Sequence, residues 1–106
     1  MRRVNEAIRE ILADAIATEL KDPRIGFVTV TDVETSPDLR AARVYVSVLG
    51  SEEERRSSLV GLRSSHVVLQ SKIAGGMRMK RTPTLTFEYD DTVERGDRIT
   101  RLLEDE

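Results

Sequence analysis

The chain has 106 residues, of which 39% are hydrophobic and 34% charged, with a formal net charge of −2. That length suits one compact domain burying roughly 60 to 70% of its unfolded surface and speaks against a second. The absence of cysteine excludes a disulfide framework and a thiolate metal site. No apolar run approaches the roughly 20 residues of a membrane span, and no signal-type segment follows Met1-Arg2-Arg3, so the reading is a soluble, unexported, cytoplasmic protein.

Apolar residues at Val4, Ala7, Ile8, Ile11, Leu12, Ala15, Ile16 and Leu20 recur every three or four positions, which predicts one amphipathic helix. It should stop near Lys21, because Pro23 disfavours helical geometry at Asp22, and Asp22-Pro23-Arg24 reads as a turn. Residues 25 to 34 are rich in β-branched types and predict a strand. After the turn formers Thr35-Ser36-Pro37-Asp38, the run 42–48 alternates with period two. Ala42, Val44, Val46 and Val48 should face inward and Arg43, Tyr45 and Ser47 outward, the short connection making an antiparallel hairpin.

Ser51 followed by Glu54 is a capping-box pattern, and Glu52 and Glu53 add negative charge at the positive end of a new helix. Leu59, Leu62, His66, Leu69, Ile73 and Met77 then fall on one stripe, so residues 52 to about 74 should be mostly helical and should end at Gly75-Gly76. Pro83 favours an extended chain, and Leu85, Phe87 and Tyr89 alternate with Thr86 and Glu88 as a third strand. Asp90-Asp91 reads as a turn. Val93 to Leu103 predicts a short frayed helix, and the acidic tail 104–106, unfavourable at a helix C-terminus, is expected to be disordered.

Charge is sorted along this chain. Between Arg55 and Phe87 there is no Asp or Glu, while Arg55, Arg56, Arg63, Lys72, Arg78, Lys80 and Arg81 give a formal +7; the remaining 10 Lys and Arg face all 19 acidic residues, a balance of −9. Charge runs are more often solvated helix faces than binding sites. A solubilising face, however, normally mixes signs, because opposite charges four apart stabilise a helix. Cations without carboxylates instead suggest an external polyanion, nucleic acid above all. Lys72, Arg78, Lys80 and Arg81 surround the glycine pair and are the leading candidates, followed by Arg63. Arg43 and Tyr45, on an outward strand face, are candidates for a stacking contact, although such pairs are more often ordinary surface.

His66 is the sole histidine. Its stripe neighbours are apolar, so it is expected to pack beside the core with one polar partner rather than act as a base or ligand. The paired carboxylates are explained as a turn and a helix start, and no phosphate or dinucleotide loop is present. No catalytic residue, metal set or cofactor is expected.

Helix, strand, strand, long helical region, strand describes an α+β domain, a three-stranded sheet with helices on one face. It matches the type II KH order α-β-β-α-α-β, yet no GXXG loop occurs anywhere in the sequence. An RRM, which begins with a strand and carries stacking aromatics, does not fit. The pieces Asp22-Pro23-Arg24, Val28-Thr29-Val30-Thr31, Ser36-x-Asp38-Leu39, Val44-Tyr45-Val46-Ser47 and Arg81-Thr82-Pro83-x-Leu85-x-Phe87, in order from about Arg3 to Leu103, resemble the ribosome-binding factor A family.

The resemblance implies a KH-like RNA-binding domain over 1–103 that associates with the free small (30S) ribosomal subunit, and a monomer is expected. It implies contact with 16S rRNA, help in late maturation and rRNA processing, a role in cold adaptation, and no enzymatic activity; separately, contacts of the acidic remainder with ribosomal proteins are expected, and no membrane partner. In that family an Ala-x-Gly break replaces the GXXG loop, and register from Pro83 places it at Ser65-His66-Val67, where this chain keeps neither residue. Some helix distortion is expected there even so. The rival reading is a noncatalytic protein-interaction module whose basic face meets an acidic partner.

Overall fold

The computed structural model describes residues 2–90. Three helices and three strands run in the order α1 (Arg2–Thr18), β1 (Phe27–Thr35), β2 (Ala41–Leu49), α2 (Glu52–Ser64), α3 (His66–Gly76) and β3 (Thr84–Tyr89). The sheet order is β1-β2-β3, with β1 antiparallel and β3 parallel to β2. The α2–α3 pair is the crossover that a parallel connection needs. The expected helix after Val93 and the acidic tail lie outside the described residues.

One hydrophobic cluster joins the helices to one side of the sheet: Ile8, Leu12 and Ile16 from α1, Leu62, Leu69 and Ile73 from α2 and α3, and Val30, Val44 and Phe87 from the strands. The expected inward set Ala42, Val44, Val46 and Val48 is fully buried. Strict alternation in β1 would send Val28, Val30 and Asp32 inward together. Instead the register slips between Val30 and Asp32, and this bulge turns Asp32 away so that Val33 becomes buried. Thr31, the extra residue, donates its hydroxyl to Tyr45 O at 3.2 Å.

Two boundaries differ from the sequence reading. The first helix ends at Thr18 rather than near Lys21, since Glu19 and Leu20 N–H both turn back to Ala15 O. The first strand starts at Phe27 rather than residue 25. Ile25 is held in the turn by its N–H to Asp22 O, and Gly26 N–H donates to Ser58 Oγ on α2, so the chain here follows α2 before it reaches β2. Gly61 permits that approach: a Cβ there would lie 2.6 Å from Ile25 Cγ1.

α2 begins with the expected capping box, both reciprocal bonds between Ser51 and Glu54 being formed. A single residue, Ser65, with φ −96° and ψ 9°, separates α2 from α3. Its N–H is shared between Gly61 O and Leu62 O, and its hydroxyl donates to Gly61 O at 3.0 Å. Ser64 makes the same back-bond to Val60 O inside α2, and two such bonds in succession, which bend a helix, accompany the break. The stripe through Leu62, Leu69 and Ile73 survives the interruption, but His66 does not stay on it. His66 is exposed rather than packed beside the core. Its one polar contact is Nδ1 to Arg63 O, 2.9 Å, a hydrogen bond when Nδ1 carries the proton.

Candidate nucleic-acid interface

The candidate interface lies where α3 stops. Gly76 lets the last turn of α3 lie against α1, where a Cβ would come 2.8 Å from Ile11 Cδ1. Met77 then leaves the helix with extended backbone, φ −136° and ψ 142°. Along residues 77–80, which bend at Met77 and Lys80, half-buried Met77 and Met79 alternate with exposed Arg78 and Lys80, so one side of the run packs and the other meets water. Both methionines rest against the core. The connection is tied down beyond them, because Gln70 Nε2 donates to Pro83 O at 3.1 Å and Thr84 N–H to Arg40 O at 2.9 Å.

A groove of about 420 Å³ opens beside this run, and Arg78, Lys80 and Arg81 line it. Val4 of α1 contributes to the same groove, directly after exposed Arg2 and Arg3. The third side is the β1–β2 loop, with Asp38 and Leu39. Leu39 holds φ 58°, a left-handed conformation uncommon for a side chain that is not Gly, Asn or Asp. The Asp38 carboxylate accepts from the Ser36 hydroxyl and from Arg40 N–H, which keeps its pKa below the ordinary value. Among the described residues Arg78, Lys80 and Arg81 make no ion pair.

The other nominated cations are engaged inside the molecule. Lys72 Nζ lies 3.1 Å from Glu19 Oε1 on α1. Arg63 donates to Phe87 O at 3.1 Å, covering a carbonyl of edge strand β3. Arg55 sits 4.9 Å above the Tyr89 ring, a cation–π distance. Arg43 and Tyr45 lie on the sheet face away from the helices, where Arg43 Nη1 donates to Tyr45 Oη and Tyr45 Oη donates to Glu34 Oε2, with Glu88 3.6 Å from Arg43 Nε. The outward exposure expected of Tyr45 is corrected here. It is 2% exposed, so its ring offers no open face to a base.

The structure therefore brings together Arg78, Lys80 and Arg81, leaves Lys72 beside a carboxylate, and sets Arg63, Arg43 and Tyr45 apart as framework contacts. Sequence reasoning missed Val4, Asp38 and Leu39 as groove residues. The Ser36-x-Asp38-Leu39 turn chemistry marked the last two, but it gave no sign of their meeting residues some forty positions later. Among the described residues no cluster of three or more His, Asp or Glu could hold a metal ion, and no helix is long and apolar enough to cross a membrane.

Known proteins share this architecture. The crystal structure of ribosome-binding factor A from Thermus thermophilus superposes with a TM-score of 0.74 at 30% identity, covering 83% of this chain and 93% of that one. A solution NMR structure from Thermotoga maritima, described as a candidate ribosome binding factor A, gives 0.78 at 34% identity over 88% and 89% of the two chains. The Thermus thermophilus factor, as a homology model fitted into a cryo-EM map of its complex with the 30S subunit, gives 0.66 at 32% identity over 79% and 88%. The sequence pattern of the family Ribosome-binding factor A matches residues 1–103. With nearly the whole chain matched and the α-β-β-α-α-β order shared, this protein belongs to the ribosome-binding factor A family.

Proposed function

We propose that this chain binds the free small ribosomal subunit by docking Arg78, Lys80 and Arg81 on 16S rRNA phosphates, and that it assists late maturation of the subunit without catalysing a reaction. The observation that carries this reading is the exposed, carboxylate-free run after α3, whose cations make no ion pair among the described residues. Family membership and the 30S complex of the Thermus relative support it. The mechanism is differential affinity: a factor that binds one rRNA conformer tenfold more tightly shifts that equilibrium by about 1.4 kcal/mol. Phosphate contact also requires no base sequence, so recognition follows the shape of the unfinished subunit.

Co-sedimentation with small subunits tests the reading. Reversing charge at Arg78, Lys80 and Arg81 together should abolish it while the thermal unfolding transition stays within a few degrees of the wild type, as all three are exposed. Wild-type binding by the triple variant would overturn the proposal. Binding that survives ribonuclease digestion would favour an acidic protein partner instead.

A further inference from the structure

The groove has two unlike sides. Arg78, Lys80 and Arg81 stand along its rim, and the rim alone would serve phosphate contacts. Leu39, Met77 and Met79 add half-buried apolar surface that phosphates do not need. Methionine is polarisable and adapts to a flat aromatic face. Duplex RNA does not offer such a face, whereas unpaired segments can splay a base out. Arg78 and Lys80 are both exposed and line the same groove, so successive phosphates of one strand can meet them. A groove of about 420 Å³ is at the lower end of the roughly 300–1,000 Å³ of small-molecule sites. That volume is on the scale of a single base rather than of a double helix.

The loop opposite is set for the same purpose. Leu39 keeps φ 58° with its N–H bonded to Ser36 O at 2.9 Å, a conformation that costs free energy and is often found at binding sites. Asp38 is held ionised by the Ser36 hydroxyl and Arg40 N–H. A carboxylate repels phosphate but accepts an amino or imino N–H from a base edge.

We infer that this groove receives one unstacked nucleobase from an unpaired RNA segment, against Leu39, Met77 and Met79, with the flanking phosphates on Arg78, Lys80 and Arg81 and a base N–H donating to Asp38. The inference rests on the RNA-binding reading above. The site is also distinct from the inter-helix break at Ser65, where a KH domain clamps its nucleotides. The two lie at opposite ends of α3, an 11-residue helix and hence about 16 Å long.

Anisotropy titrations of the full chain with a short labelled single-stranded RNA, and with a hairpin duplex of equal phosphate number, decide it. The single strand should bind at least tenfold more tightly than the duplex. Leu39→Gly, which suits a positive φ and so keeps the fold, should weaken single-strand binding about fivefold or more without changing its salt slope. Equal affinity for strand and duplex, or wild-type affinity of the glycine variant, overturns base capture and leaves phosphate docking standing. Failure of the wild type to bind either RNA also overturns base capture, while phosphate docking on the subunit stands or falls with the co-sedimentation of the triple charge-reversal variant.

Discussion

Single side chains in this molecule act mainly through what they touch within a few ångströms. Asp22 accepts from Arg24 N–H and from its guanidinium, 2.6 Å at the shortest, and these bonds hold its pKa at about 2. Because the folded value lies below the unfolded one of about 3.9, the stabilisation is complete above pH 4 and disappears as pH falls through 2. Asp22→Asn should therefore lower the melting temperature at pH 7, with the gap to wild type closing between pH 4 and pH 2. A gap independent of pH would contradict this. The glycines make a second contrast. Gly61→Ala drives a Cβ to 2.6 Å from Ile25 and should cost about 1–3 kcal/mol in urea unfolding. Gly75→Ala meets nothing within 4 Å inside α3 and should gain about 0.4–1 kcal/mol.

At the scale of elements, the boundaries were legible where a local rule operated. The capping box at Ser51 and Glu54 gave the start of α2, and Gly75-Gly76 its far limit at the end of α3. Ser51→Ala removes the hydroxyl that accepts from Glu54 N–H, while the residue-51 N–H still reaches the Glu54 carboxylate, and should cost about 1 kcal/mol in thermal or denaturant unfolding. Ser65 was harder to read. It does not use a glycine-type backbone but bonds its own hydroxyl to Gly61 O, and the stripe Leu62-His66-Leu69 continued across it as if the helix were unbroken. The bulge at Thr31 was not legible at all. The β-branched run 25–34 carries no mark of it, and the slipped register buries Val33 rather than Asp32.

For the whole molecule, sorted charge along the sequence does not become a uniformly basic face. Lys72, Arg63 and Arg55 are drawn to Glu19, a strand carbonyl and an aromatic ring, which leaves Arg78, Lys80 and Arg81 as the cations of the basic stretch gathered at one groove, with exposed Arg56 on α2 apart from them. The salt response should follow this smaller set. With about three phosphates neutralised on a single strand, log affinity should fall against log salt with a slope near −2, and Lys72→Ala should change that slope much less than Arg78→Ala. Equal effects of the two substitutions would mean that the Glu19 contact does not survive binding.

The residues in order determined the helices, the strand alternation, the capping signal and the family, because each depends on neighbours within a turn or a short run, or on motifs read directly from the chain. Tertiary structure alone decided which cations remain free and what stands beside them. Leu39 and Met79, or Lys72 and Glu19, are far apart along the chain and meet only once the core is packed. Electrostatic and steric partners are set by distance in space, and no periodicity in the sequence encodes that distance.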